Sequence, residues 1–189
     1  MCSAERGNRR ILPLSDAATT SASPFAVTPE RTPVPSFDLV IFGAAGDLSL
    51  RKLFPALAQR DLEAVLPADS RIIGIVRQQE QIATLPGEIT ARLREIGLAG
   101  DAIARFISRL IVVRLDATVA ESFSALAEAL GDSTRVRSFY LSTPPDLFIP
   151  ICENLAASGC LTQTSRVILE KPLGRDLASA VAINDAVAR

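Results

Sequence analysis

From Phe37 onward, short apolar runs alternate with segments whose apolar residues recur at helical spacing. Asp38–Phe42 (DLVIF) is dense in strand formers and stops at Gly43. Leu50–Val65 carries Leu50, Leu53, Phe54, Leu57, Ala58, Leu62 and Val65, close to the stripe that one face of a helix presents. Ile72–Val76 (IIGIV) predicts a second strand, and Ile82–Leu98 and Ala102–Leu110 predict helices interrupted around Gly97–Asp101. Ile111–Leu115 predicts a third strand, Glu121–Leu130 a helix, Ser138–Leu141 a fourth strand, Leu147–Ser158 a helix and Arg166–Leu169 a fifth strand. A closing helix is expected over Asp176–Val187. Strands alternating with helices predict a parallel sheet with helices on both faces, and near-continuous apolar strands suit burial from both sides. The expected fold class is therefore α/β, a doubly wound parallel sheet.

Residues 1–36 are a different material. Pro13, Pro24, Pro29, Pro33 and Pro35 lie among Ser, Thr, Ala and Arg, and the apolar clusters Ile11–Leu14 and Phe25–Val27 are too short for a secretory core. Prolines at that density disfavour helix and central strand, so the segment reads as a flexible Pro/Ser/Thr-rich tail before a domain over 37–189. A transit-peptide reading draws on Arg6, Arg9, Arg10 and Arg31 against Glu5, Asp16 and Glu30, a small margin.

Composition narrows the chemistry. The chain has 20 Lys+Arg against 21 Asp+Glu, a balance that argues against a nucleic-acid partner bound through a basic field. No apolar run approaches the roughly 18–20 residues that cross a bilayer, so no membrane partner is expected. The 3 cysteines, Cys2, Cys152 and Cys160, are too sparse for a disulfide framework or a zinc site, which fits a reducing, cytoplasmic setting and no metal. There is no His, which removes His-based triads, His ligands and a His general base from this chain.

The turn after the first strand, Gly43-Ala44-Ala45-Gly46-Asp47-Leu48, carries the most specific chemistry. In a doubly wound sheet the first strand-to-helix turn takes the phosphates of a ligand at the helix amino terminus. Gly43 permits a sharp turn and close backbone approach, Gly46 permits close packing of the following helix, and Asp47 is placed to cap the first helical amides. The spacing is neither GxGxxG nor a P-loop, and two glycines can also simply shape a tight connection.

The second strand is followed by Arg77-Gln78-Gln79, with no acid until Glu80. NAD readers place an acid here for the ribose 2′-hydroxyl, whereas NADP readers place an Arg for the 2′-phosphate, so Arg77 favours NADP over a merely solvated guanidinium. Arg51 and Lys52 add positive potential or are ordinary helix charges. The fourth strand runs into Ser142-Thr143-Pro144-Pro145, either a rigid turn beside the nicotinamide half of a dinucleotide or a plain strand terminator. The fifth ends Leu169-Glu170-Lys171-Pro172, which aims Lys171 at the ligand crevice, with Glu170 its partner or a strand-end charge.

Taken in order, GAAGDLSLRKLFPAL, GIVRQ, FYLSTPP and VILEKPLGRDL resemble the amino-terminal coenzyme domain of the glucose-6-phosphate dehydrogenase family, a Rossmann-like domain, over Phe37 to Arg189. That resemblance implies oxidation of glucose 6-phosphate to 6-phosphoglucono-δ-lactone with NADP as hydride acceptor, opening the oxidative pentose phosphate pathway. It implies a coenzyme loop of Gly43, Ala44, Ala45, Gly46, Asp47, Leu48, Ser49 and Leu50, a 2′-phosphate contact from Arg77, an adenosine wall at Asp116 and Ala117, and a Lys171 that reaches both coenzyme and sugar phosphate. Leu173 stands where the family usually has Phe, and Ser49 where Ala is usual.

The family continues to a segment reading RIDHYLGKE and to a larger domain with a His general base, which this sequence does not reach. The expectation is a coenzyme domain that holds no catalytic residue, binds NADP(H) and turns over no glucose 6-phosphate by itself. A homo-oligomer is expected of the longer enzyme, with the state of this chain left open. Two alternatives remain: a non-catalytic NADP-binding module, and an inositol dehydrogenase-like sugar oxidoreductase, a group that usually shows a GxG turn.

Overall fold

A computed structural model describes residues 34–132, 134–170, 180–181 and 183–185. Most of the tail (residues 1–33), the Lys171–Gly174 segment and parts of the closing helix lie outside the described residues. Residues 180–181 and 183–185 are helical, within the span expected for that helix.

Five parallel strands, β1 (Phe37–Phe42), β2 (Arg71–Val76), β3 (Leu110–Arg114), β4 (Val136–Leu141) and β5 (Arg166–Leu169), form one sheet in the order β3-β2-β1-β4-β5. The helices are α1 (Phe54–Leu62), entered through a π-helical turn at Ser49–Leu53, α2 (Glu80–Glu95), α3 (Gly100–Ile107), α4 (Phe123–Leu130) and α5 (Phe148–Ala157). Two-residue periodicity sorts the strand side chains into two cores. Leu39, Ile41, Ile72 and Val76 pack with Phe54, Leu85, Ile89 and Phe106 of α1–α3, while Val40, Phe42, Ile73, Ile75, Phe139 and Leu141 pack with Phe123, Leu126, Ile151 and Leu155 of α4 and α5. The expected α/β doubly wound architecture is therefore the one observed.

Several boundaries differ from the sequence expectation. The first helix ends at Leu62 rather than Val65, because Ala64 adopts φ 54° and closes it: the Val65 amide donates to Arg60 O and the Ala64 amide to Asp61 O, each at 3.0 Å. These are the two bonds of a Schellman stop, built here without glycine. Leu110 belongs to β3 rather than to the preceding helix, and β4 begins at Val136, two residues early, with Arg137 buried inside it. Near-complete burial holds for β1 and β2; β4 and β5 alternate, because Ser138, Tyr140, Arg166 and Ile168 are less covered.

At the amino ends of the strands, the cross-strand pair Asp38 and Arg71 is locked by two hydrogen bonds of 2.7 and 2.8 Å, with Asp38 fully buried. Arg109 donates to the carbonyls of Pro67, Ala68 and Ser70, tying down the loop that feeds β2. Cys152 and Cys160 are free and buried; burial pushes both thiols up, which fits inert core residues.

Candidate functional site

The chain order reverses between β1 and β4, so a crevice opens at the carboxyl ends of these strands. It is a cleft of about 380 Å³ walled by Gly43, Ala45 and Gly46 of the first turn, Val76 and Arg77 at the end of β2, Asp116–Thr118 after β3 and Thr143 after β4.

Gly43 is fixed by two demands. Its φ is 77°, and a Cβ there would stand 2.3 Å from the Ser142 carbonyl oxygen. Around it the turn is stitched on three sides. The Ala44 amide donates to Ile75 O at 3.1 Å, the Gly46 amide to Gly43 O at 2.9 Å, and the buried Ser49 hydroxyl to the same Gly43 O at 3.0 Å. The helical turn that begins at Asp47 has no preceding acceptors for its first amides, so these donors and the positive end of the helix dipole are left for an anion.

The residues expected to form the coenzyme loop separate by position. Gly43, Ala45 and Gly46 line the cleft, and Leu48 lines a smaller adjoining pocket. Ala44 and Ser49 are buried behind the turn, and Leu50 is half-buried against the α1–α3 core. Asp47 does not cap: the helix already includes it, so its carboxylate turns to solvent, 3.5 Å from Arg51. Gly46 is tight for a reason other than helix packing, since a Cβ would meet Gly43 O at 3.0 Å.

Arg77 and Asp116 meet across the outer rim. Arg77 is 83% exposed and its Nε stands 3.7 Å from Asp116. Asp116 is held by Thr118, whose amide and hydroxyl donate to Oδ1 at 3.0 and 2.7 Å. These bonds, reinforced by Arg77, hold the Asp116 carboxyl below the usual carboxylate range, so it stays anionic at neutral pH. Ala117 lines the cleft beside it. Lys171 lies outside the described residues.

The smaller pocket, about 270 Å³, is bounded by Leu48, Ser142–Pro145, Phe148 and Glu170. Pro145 starts a short 3₁₀ turn, Pro145–Leu147, so the proline pair forms a rigid wall here as well as ending β4. Glu170 accepts a hydrogen bond from the Tyr140 hydroxyl, a partner sequence reasoning did not supply. Burial, and then that bond, push the Tyr140 phenol up to about 12.

Sequence reasoning also missed Gln81, Thr118 and Leu147 in the larger cleft. Thr118 had a local signal, because an Asp-x-Thr step commonly ties its own side chains together. Gln81 and Leu147 arrive only through the topology. A turn with no room for a side chain at Gly43, the amides of a helix start and a guanidinium on the rim together fit a dinucleotide.

A parallel sheet that reverses at such a turn defines a dinucleotide-binding domain of the doubly wound class. The sequence profile described as "Glucose-6-phosphate dehydrogenase, NAD binding domain" matches residues 40–189. The chain belongs to that family, as its motifs lead one to expect. It is 44% identical over 165 residues to glucose-6-phosphate 1-dehydrogenase of Mycolicibacterium smegmatis, a match covering 82% of this chain and 33% of that protein. It is 41% identical over 161 residues to the same-named protein of Gluconobacter oxydans, covering 82% and 33%. The crystal structure of glucose-6-phosphate 1-dehydrogenase from Mycobacterium avium superposes with a TM-score of 0.74 at 34% identity, over 82% of this chain and 34% of that one. A glucose-6-phosphate dehydrogenase solved in complex with its substrate glucose-6-phosphate superposes at 0.70 and 32% identity, over 83% and 35%. The chain thus spans about a third of the length of these relatives. Family membership displaces the inositol dehydrogenase-like reading. No described helix is long and apolar enough to cross a membrane.

Proposed function

We propose that residues 37–189 bind NADP(H) across the carboxyl edge of the sheet and serve, within a longer polypeptide, the oxidation of glucose 6-phosphate to 6-phosphoglucono-δ-lactone. The observation that carries this is Arg77, an exposed guanidinium on the rim of the cleft that Gly43 and Gly46 floor. The residue that follows β2 is Arg77, with no acid in sequence before Glu80, and a 2′-phosphate there receives charge-assisted bonds from a planar donor fork. The first helical amides receive the diphosphate, Ala117 and Asp116 border the adenosine, and the Ser142–Pro145 wall borders the other half.

When bound here, NADP⁺ would supply the acceptor for a hydride from the anomeric carbon of the sugar. The proton of the anomeric hydroxyl must leave with it, and the chain holds no His for this task. We therefore assign these residues binding and orientation, give Lys171 a substrate contact, and assign the proton transfer to a part of the longer enzyme outside this sequence. A cytoplasmic setting and a homo-oligomeric full-length enzyme belong to the same reading.

Calorimetric titration of the chain tests it. NADP⁺ is expected to bind saturably and more tightly than NAD⁺; equal affinity for the two, or no binding of either, would overturn the assignment.

A further inference from the structure

Thr143 has a hydroxyl that the protein leaves unused. Its Oγ1 is buried and has no hydrogen-bond partner, whereas native folds satisfy nearly all such groups and each exception asks for a cause. The residue lies two positions past the end of β4 and precedes Pro144, which confines its backbone to extended conformations. Its methyl side faces the first turn, where a Cβ on Gly43 would meet Thr143 Cγ2 at 3.4 Å. The backbone is thus confined while the hydroxyl has no partner.

Thr143 is also the one residue that lines both the larger cleft and the smaller pocket, among the described residues. It stands at the passage between the rim of Arg77 and Asp116 and the wall that ends at Glu170. A dinucleotide that fills both chambers has to cross this passage with its most polar stretch, the diphosphate and the second ribose. A coenzyme that draws the side chain into another staggered rotamer, hydroxyl toward that passage, would give the hydroxyl the partner it lacks.

We propose that Thr143 is a coenzyme-positioning residue, whose hydroxyl hydrogen-bonds the second ribose of NADP(H), beyond the diphosphate, and so joins the two halves of the site. This rests on the dinucleotide reading above and adds to it the residue that makes binding of one half assist the other. A hydroxyl without a partner contributes nothing to the free domain, and replacing it by an apolar group of the same shape leaves the fold no less stable.

The test uses the whole chain with two ligands, NADP⁺ and adenosine 2′,5′-bisphosphate, which carries the adenosine end without the second ribose and nicotinamide. Thr143→Val is expected to weaken NADP⁺ by about three- to tenfold, the worth of one neutral hydrogen bond. It should leave adenosine 2′,5′-bisphosphate unchanged and the melting temperature of the free protein undiminished. Thr143→Ser, which keeps the hydroxyl, should retain NADP⁺ affinity. Unchanged NADP⁺ affinity in Thr143→Val overturns the proposal, as does an equal loss for both ligands with a lowered melting temperature, which marks a structural role. If the unaltered chain binds neither ligand, the dinucleotide reading itself has failed and this role falls with it.

Discussion

Arg77 and Asp116 face each other at 3.7 Å on the rim of the cleft, a loose contact in which the guanidinium keeps most of its surface in water. Asp116, by contrast, is already engaged by the Thr118 amide and hydroxyl. The guanidinium can therefore turn to a phosphate while Asp116 keeps its own hydrogen bonds.

Arg77→Ala is accordingly expected to weaken NADP⁺ by about ten- to a hundredfold, the range of a charged hydrogen-bonding group, and NAD⁺ by no more than about twofold. Parallel calorimetric titrations measure both, and equal losses would remove Arg77 from the 2′-phosphate.

Gly43→Ala is expected to lower stability by about 2–4 kcal/mol, since it adds left-handed strain to a clash with backbone that cannot swing aside. Urea denaturation gives the difference, and loss of less than about 1 kcal/mol would show that the turn relaxes freely. Coenzyme binding should be lost with it, because Ser142 and the turn share one wall of the site.

Ala64 offers the opposite case. A left-handed alanine at the end of α1 carries a steric cost that glycine does not, so Ala64→Gly should raise stability by about 0.5–1 kcal/mol. Thermal or urea unfolding detects this; a decrease would mean that the unfolded chain gains more freedom than the stop gains relief.

Tyr140 is the only tyrosine in a chain without tryptophan, so absorbance of the phenolate reports it alone. Burial and the Glu170 carboxylate should hold its ionisation near 12 in the folded protein, against about 10 when unfolded. Because the folded form keeps its proton longer, this contribution is whole below about pH 10 and declines as pH rises toward 12. Tyr140→Phe should remove that part of the alkaline decline. A titration midpoint near 10 in folded protein would break the pairing with Glu170.

Much of this was legible because it is local. The apolar runs of β1, β2 and β5 and the turn at Gly43 depend on neighbours in sequence, and so does the place of Arg77 at a strand end. What escaped is set by contacts between distant segments. Leu110 satisfies a helical stripe as well as a strand, and only its pairing with Ile72 in β2 decides. Arg137 hid the first residues of β4, since no hydropathy pattern anticipates a buried guanidinium that donates to Cys160 O and Gly131 O. The α1 stop was unseen because alanine replaces the usual glycine. In the site, Asp47 is no cap because the helical turn already includes it, three residues before the apolar stripe begins at Leu50.

The closeness of Gly43 to Ser142 divides the binding region into parts that differ in how freely they can change. The floor admits no ornament, so neither natural drift nor an engineer can adjust selectivity there without remaking the exit of β4. The rim, where positions 77 and 118 look into water, is open to exchange at little risk to folding. A switch of redox currency in this lineage would therefore be written at its margin and leave the hinge of the turn untouched.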